Sequence, residues 1–237
     1  MNKYLIIIPT FNEKDNISTV LTQIINLNND FDILVVDDNS PDGTSDIVEE
    51  FILLNSNINI IKRKNKGGLG SAYIDGFKWS INNNYNYVMQ IDADLSHNPK
   101  DLIRFKAKSV KYDLVIGSRY IKGISIVNWP LSRLILSYFA NFYARTVIGI
   151  PIKDVTGGFK CISTKILKSI NLDEIKSEGY SFQIELNFLI WINNYSITEI
   201  PIVFTDRTKG TSKMSKFVIL EAIYMVPYLF FKKLLKL

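Results

Sequence analysis

The first half of the chain alternates apolar runs with helical stretches. Tyr4–Ile8, Phe31–Val36, Ile58–Ile61, Tyr87–Ile91 and Asp113–Ile116 are short and rich in β-branched and aromatic residues. Runs of this kind predict strands buried on both faces of a parallel sheet. Between them the pattern predicts helices: one through about Leu27, one running toward Leu54, one from Ser71 to about Ile81, and one after Asn98-Pro99. Strands and helices alternating at this spacing predict an α/β fold with a mostly parallel, doubly wound sheet sandwiched by helices. The second half is less regular. A helix is expected from Pro130 to about Ile148, apolar on more than one face, so that it either enters the core or meets lipid. Another is expected from Ser181 to about Asn193, then a late strand over Ile197–Val203. The tail Phe217–Phe231 is interrupted by Glu221 and Pro227 and followed by Lys232, Lys233 and Lys236. It predicts an amphipathic helix lying on a membrane or docking on a partner. The expected organisation is one domain over residues 1–216 and this helix over residues 217–237.

In a doubly wound sheet, ligands bind outside the carboxyl ends of the strands. Each strand end here carries polar residues: Pro9–Glu13, Asp37–Asp42, Asp92–Asp94 and Gly117–Arg119. Asp92 and Asp94 stand two apart where a strand breaks, so both carboxylates can turn toward one point. That arrangement suits a hard divalent cation that also keeps waters and substrate phosphates. A helix cap is the plainer reading of one Asp-x-Asp; the other polar strand ends favour a metal with a nucleotide. No glycine fingerprint follows the first strand, Gly68-Leu69-Gly70 lacks the third glycine, and there is no Walker loop. Phosphates must then be held by metal and side chains. Phe11 can pack on a base or ribose, and Glu13, Asp37 and Asp38 can accept hydrogen bonds from both. Asp42 reads as a helix cap.

Composition narrows the partners. The chain is 47% hydrophobic and 22% charged with a formal net charge of +5, and its pI is about 9.1. A basic protein suits an anionic partner. The cations are not massed into a stripe or arm, which speaks against nucleic acid. One cysteine, Cys161, rules out an intramolecular disulfide framework and fits a reducing compartment. The apolar run after Met1 is too short for a signal peptide, and no run reaches the roughly 20 residues of a spanning helix. The expectation is a cytoplasmic protein, peripheral on a membrane.

Pro9-Thr10-Phe11-Asn12-Glu13, Val36-Asp37-Asp38-Asn39-Ser40-Pro41-Asp42-Gly43-Thr44 and Asp92-Ala93-Asp94-Leu95-Ser96-His97 resemble the inverting family-two glycosyltransferases of GT-A fold. Gly117-Ser118-Arg119-Tyr120, Asn128–Arg133, Asp154–Lys160 and Arg207–Lys213 resemble, more narrowly, the dolichyl-phosphate (polyprenyl-phosphate) mannosyltransferases. The resemblance covers Tyr4 to about Lys216. It implies transfer of mannose from GDP-mannose to a polyprenyl phosphate, giving the β-linked lipid sugar. It implies that Pro9, Phe11, Glu13, Asp37, Asp38, Asp92 and Ala93 line the nucleotide, and that Asp92 and Asp94 hold Mg²⁺ or Mn²⁺. Some relatives carry a glutamine two residues after the second aspartate, where this chain has Ser96. Relatives with transmembrane helices carry them after the catalytic domain; here membrane attachment is expected through amphipathic surface or a small membrane partner subunit.

The residue types fit that chemistry independently. A hydroxyl acceptor needs a general base near the sugar, but a phosphate monoester, with a second pKa of about 6, arrives ionised. It needs cations to neutralise and orient it. Asp94 with Arg119, Arg133, Arg207 and Lys213 form the expected reacting set, arginine gripping phosphate through two nitrogens. His97 is expected to be structural, and the resemblance implies that Gln183 and Glu185 support the site from their helix. Two alternatives stand beside this reading: the same fold using UDP-glucose or another sugar nucleotide, and a non-catalytic nucleotide-binding subunit.

Overall fold

The structure is a computed structural model and describes residues 2–27, 30–175, 177, 179–207 and 216–235. Strands β1 (Tyr4–Thr10), β2 (Phe31–Asp37), β3 (Ile58–Lys62) and β4 (Tyr87–Gln90) alternate with helices α1 (Lys14–Ile25), α2 (Thr44–Leu54) and α3 (Leu69–Asn82). Helix α4 (Asp101–Ser109), β5 (Leu114–Ser118), the short β6 (Ile126–Val127) and α5 (Leu131–Ile148) follow. Then come β7 (Lys160–Ser163), α6 (Thr164–Ser169), α7 (Gly179–Ile192), β8 (Ile197–Pro201), β9 (Phe204–Thr205) and α8 (Lys216–Leu235). The main sheet has the order β3-β2-β1-β4-β7-β5-β8. All of its pairings are parallel except those of β7, which runs against both β4 and β5. β6 and β9 form a separate two-stranded parallel ladder.

The apolar runs form strands because two cores need them. Ile6, Ile8, Ile33 and Val35 face α1 and α4 in one core, and Leu5, Ile7, Leu34 and Val36 face α3 and α7 in the other. Period-two alternation sends neighbours to opposite faces, which is why the runs are apolar throughout. Some expected boundaries shift. The strand before the aspartates ends at Gln90 rather than Ile91, and the expected strand Ile197–Val203 ends at Pro201 as β8, with the separate β9 following it.

Strand β7 decides where the second half of the chain lies. Its first residue, Lys160, pairs with Gln90 at the carboxyl end of β4. The loop leading into β7 therefore arrives at the rim where β1, β2, β4 and β5 end. The expected C-terminal helix is present as α8. Val226 and Leu229 are buried in the same core as α7, while Ile223, Tyr224, Tyr228 and Phe231 are exposed. No helix among the described residues is long and apolar enough to cross a membrane.

Lys160 itself is fully buried in the sheet and donates from Nζ to Asn187 Oδ1 at 2.8 Å. Burial pushes its pKa down to about 7, against an opposing pull from Asp154. A base with a lowered folded pKa binds fewer protons native than unfolded, so it makes stability rise with pH between about 7 and the ordinary lysine value. The stability of wild type relative to Lys160→Met is predicted to increase from pH 7 to pH 10 in urea unfolding. A difference that stays flat or shrinks over that range would contradict the assignment.

Candidate active site

The rim is assembled from four loops. After β1, Asn12 adopts a left-handed φ of 56° and turns the chain into α1. Asp42 ties this loop to the one after β2: its carboxylate accepts from the Lys14 backbone N–H at 3.1 Å and from Thr44 Oγ1 at 2.6 Å. Burial resists its ionisation, but these donors outweigh that and lower its pKa. Asp42 thus caps as expected.

The neighbouring aspartates are bonded within the protein. Asp37 accepts from Thr10 Oγ1 at 2.8 Å and from Ser40 through both N–H (2.9 Å) and Oγ (2.6 Å). Asp38 accepts from Arg63 at 2.6 Å and from the backbone N–H groups of Gly67 and Gly68 at 2.8 Å each. Both are buried, and their oxygens serve the protein's own donors rather than standing open to a ligand. What they fix is the basic loop between β3 and α3. That loop lays Lys66 Nζ 3.8 Å over the ring of Phe11, a cation–π contact worth about 0.5–1 kcal/mol at exposed sites. The sequence reading gave this loop no role; only the fold shows that it closes over Phe11. Pro9, Phe11 and Glu13 are half-buried beside it. Glu13 Oε2 accepts from Asn16.

The fourth loop, after β4, carries the carboxylate pair. Leu95 takes a left-handed φ of 62°, and Ser96 donates its N–H to Asp94 Oδ1 at 3.0 Å. Ala93 is buried beneath the pair. His97 Nε2 lies 3.4 Å from Asp92 Oδ2, and its ring packs against Phe159 and Phe204. Burial disfavours the Asp92 anion, yet the hydrogen bond and charge of His97, then Arg207 and Arg119, hold its pKa below the ordinary value. Asp92 is ready as an anion, its side chain 36% exposed.

The cations arrive from the second half. The β6–β9 ladder sets Val127 beside Thr205, and Thr205 donates its N–H to Ser96 O at 3.1 Å. Arg207 Nη2 is thereby placed 3.1 Å from Asp94 Oδ2. Arg133 Nη1 bonds Asp206 Oδ1 at 2.7 Å and stacks over Trp129. Arg119 is buried, with Nε and Nη2 on Asp154 at 2.8 and 2.6 Å and Nη2 also on Thr156 at 2.8 Å. Asp154 therefore orients Arg119, a partner the sequence gave no means of assigning. Of the expected residues, the fold brings Asp92, Asp94, Arg119, Arg133 and Arg207 to one end of the rim and Pro9, Phe11 and Glu13 to the other. Lys213 and the Gly-Thr-Ser turn before it lie outside the described residues. Gln183 and Glu185 are both buried on α7; Ser177 donates to Glu185.

Among the described residues no group of three or more His, Cys, Asp or Glu gathers as a closed metal cage. Two carboxylates without a third fit a hard dication whose other positions are water and phosphate oxygens. The guanidinium already resting on Asp94 shows that this end of the pair is built to face positive charge.

Carboxylates at the break of a central strand, an aromatic under a basic loop and arginines opposite define a GT-A glycosyltransferase. Residues 5–170 match Glycosyl transferase family 2, and the chain belongs to that family. It is 41% identical over 94% of its length to polyprenol monophosphomannose synthase of Mycolicibacterium smegmatis, covering 84% of that protein. It is 38% identical to undecaprenyl-phosphate mannosyltransferase of Micrococcus luteus, covering 94% of this chain and 92% of that one. Among solved structures, glucosyl-3-phosphoglycerate synthase from Mycobacterium tuberculosis, in complex with Mn²⁺, UDP and glucosyl-3-phosphoglycerate, matches with a TM-score of 0.65. That match covers 99% of this chain and 79% of the other at 17% identity, a likeness of fold.

Because Asp154 is fully buried, Asp154→Ala leaves the Arg119 charge without its partner. Loss of one member of a buried pair costs about 3–5 kcal/mol, and urea unfolding is predicted to show a loss of that size. A loss under about 1 kcal/mol would place the pair among weak surface bridges.

Proposed function

We propose that this enzyme transfers mannose from GDP-mannose to a polyprenyl phosphate, giving polyprenyl β-mannosyl phosphate. The observation that carries this reading is the row of Arg207 on Asp94 and Arg133 on Asp206 beside the carboxylate pair. An acceptor that is already an anion needs such cations and no general base. The names of the relatives supply the sugar and the lipid class.

In this reading Phe11 and Lys66 enclose the base, with Pro9 and Glu13 beside them; Asp37 and Asp38 keep the enclosing loops in shape. Asp92 and Asp94 would hold Mg²⁺ or Mn²⁺, which supplies charge neutralisation for the diphosphate leaving group. Arg207 and Arg133 bind the lipid phosphate and aim one of its oxygens at the anomeric carbon, with Arg119 adding charge from behind. Lys213 would add a further positive charge for that phosphate. The phosphate oxygen forms the new bond to carbon as the bond to the diphosphate oxygen breaks, so the α-linked donor gives a β product.

The same geometry suits a membrane surface. Helix α5 begins two residues before Arg133 and exposes Leu131, Ile135, Tyr138, Phe139 and Phe142. Beside it α8 exposes Tyr224, Tyr228 and Phe231, with Lys232 and Lys233 in its last turn. An apolar face of this extent fringed by cations fits an anionic bilayer, peripheral on the cytoplasmic side where the nucleotide sugar is available. Attachment through a small membrane subunit would use the same face.

With Mg²⁺ and a short polyprenyl phosphate, labelled GDP-mannose is predicted to yield acid-labile, organic-soluble label, and UDP-glucose none. Asp94→Ala should lose transfer while melting as wild type does. Arg207→Ala should raise the KM for the lipid phosphate more than that for the donor; equal defects would contradict its placement. In vesicle flotation, wild type should float with anionic liposomes and Phe139→Glu/Phe142→Glu should stay behind. Equal flotation of the two would remove α5 from the membrane contact.

A further inference from the structure

Gln183 lies on α7 at 2% exposure, and neither its Nε2 nor its Oε1 has a hydrogen-bond partner among the described residues. A buried donor or acceptor left unpaired is costly and rare, so an amide with both ends unpaired calls for a water or a ligand against it. The amide faces a gap. A Cβ built on Gly158 would lie 3.5 Å from Gln183 Nε2 and 4.0 Å from Asp92 Oδ1, with nothing nearer. An alanine would therefore fit against the protein, and Gly158 has no left-handed φ that demands glycine. The next-door Gly157 differs: its Cβ would press on Asp154 and the Gly117 carbonyl at 3.3 Å. What glycine leaves unfilled at position 158 is a methyl-sized space in contact with an amide on one side and a carboxylate on the other.

The gap's chemistry selects among ligands. Asp92 Oδ1 and Gln183 Oε1 only accept, and Gln183 Nε2 only donates. Phosphate oxygens satisfy the donor but oppose both acceptors. A sugar hydroxyl accepts from Gln183 Nε2 and donates its one proton to one of the two acceptors, so it meets the donor and an acceptor together, which a phosphate oxygen cannot. The buried hydroxyl of Tyr73 lies within hydrogen-bonding reach of Asp92 and in the field of Asp94, so a further group that both donates and accepts stands beside the carboxylates. Resting on the glycosyl-transfer reading, we infer that Gln183 is a specificity-determining residue: it recognises a hydroxyl of the donor's hexose across the gap at Gly158.

The test compares wild type, Gln183→Leu and Gly158→Ala. Each is assayed with GDP-mannose and its 2-, 3-, 4- and 6-deoxy analogues, and binding of GDP-mannose and of GDP is measured by calorimetry. Gln183→Leu should lower kcat/KM for GDP-mannose by roughly 10- to 100-fold and leave GDP affinity within about two-fold. It should also abolish the penalty that wild type shows for one of the deoxy donors. Gly158→Ala should melt as wild type does, bind GDP equally and transfer poorly, because its methyl fills the space meant for the sugar. The inference is overturned if every deoxy penalty survives in Gln183→Leu, if GDP affinity falls in step with transfer, or if Gly158→Ala transfers normally. Failure of the parent reading shows separately, as wild type that transfers from UDP-glucose instead or from neither nucleotide. Binding then decides: wild type must gain affinity from the sugar over GDP or UDP alone, and Gln183→Leu must lose that gain.

Discussion

Strand β7 runs against its neighbours, and the site depends on that reversal. In an all-parallel sheet the rim receives only loops that leave strands. Here β7 pairs antiparallel with β4 and β5, so the loop that enters it reaches the same rim. Asp154, Thr156 and Gly158 come with that loop. Asp154 then fixes Arg119 at the end of β5, and Gly158 comes to rest beside Asp92 at the end of β4. One reversed strand of four residues thus joins the nucleotide half of the rim to the half that carries the cations.

Charge is distributed along this rim in a consistent order. Asp37 and Asp38 are neutralised locally by hydroxyls, backbone amides and Arg63, and act on the loops around them. Asp92 is faced by the His97 imidazole and Asp94 by the Arg207 guanidinium, partners that a ligand can replace or join. The difference lies in the number of donors each carboxylate already accepts from, and, for Asp92, in its 36% exposed side chain. It separates aspartates that shape the cradle from those that can take part in chemistry.

Much of this was legible in the sequence. The apolar runs named the strands because both faces of each are buried, and the polar clusters named the rim because they terminate those runs. Asp92, Asp94, Arg133 and Arg207 were identified from motifs, and the fold gathers them. Other features had no local signal. β7 is too short to advertise its direction, and β6 and β9 are two residues each, so the ladder that carries Arg207 to Asp94 exists only in three dimensions. Asp37 and Asp38 read as ligand-facing because their hydrogen-bond donors come from Thr10, Arg63 and the Gly67-Gly68 turn, remote in sequence or hidden in a loop. Gln183 was expected only to support the site from its helix; its unpaired amide is visible only once Gly158 stands opposite.

The central claim is that an ionised lipid phosphate, held by the arginines, attacks the sugar directly with no protein nucleophile in between. The anomeric configuration of the product tests it most directly. Mannosyl phosphate lipid made from α-linked GDP-mannose, isolated and examined by NMR, is predicted to be wholly β. An α product would require two displacements through a covalent sugar–protein intermediate and would contradict the account.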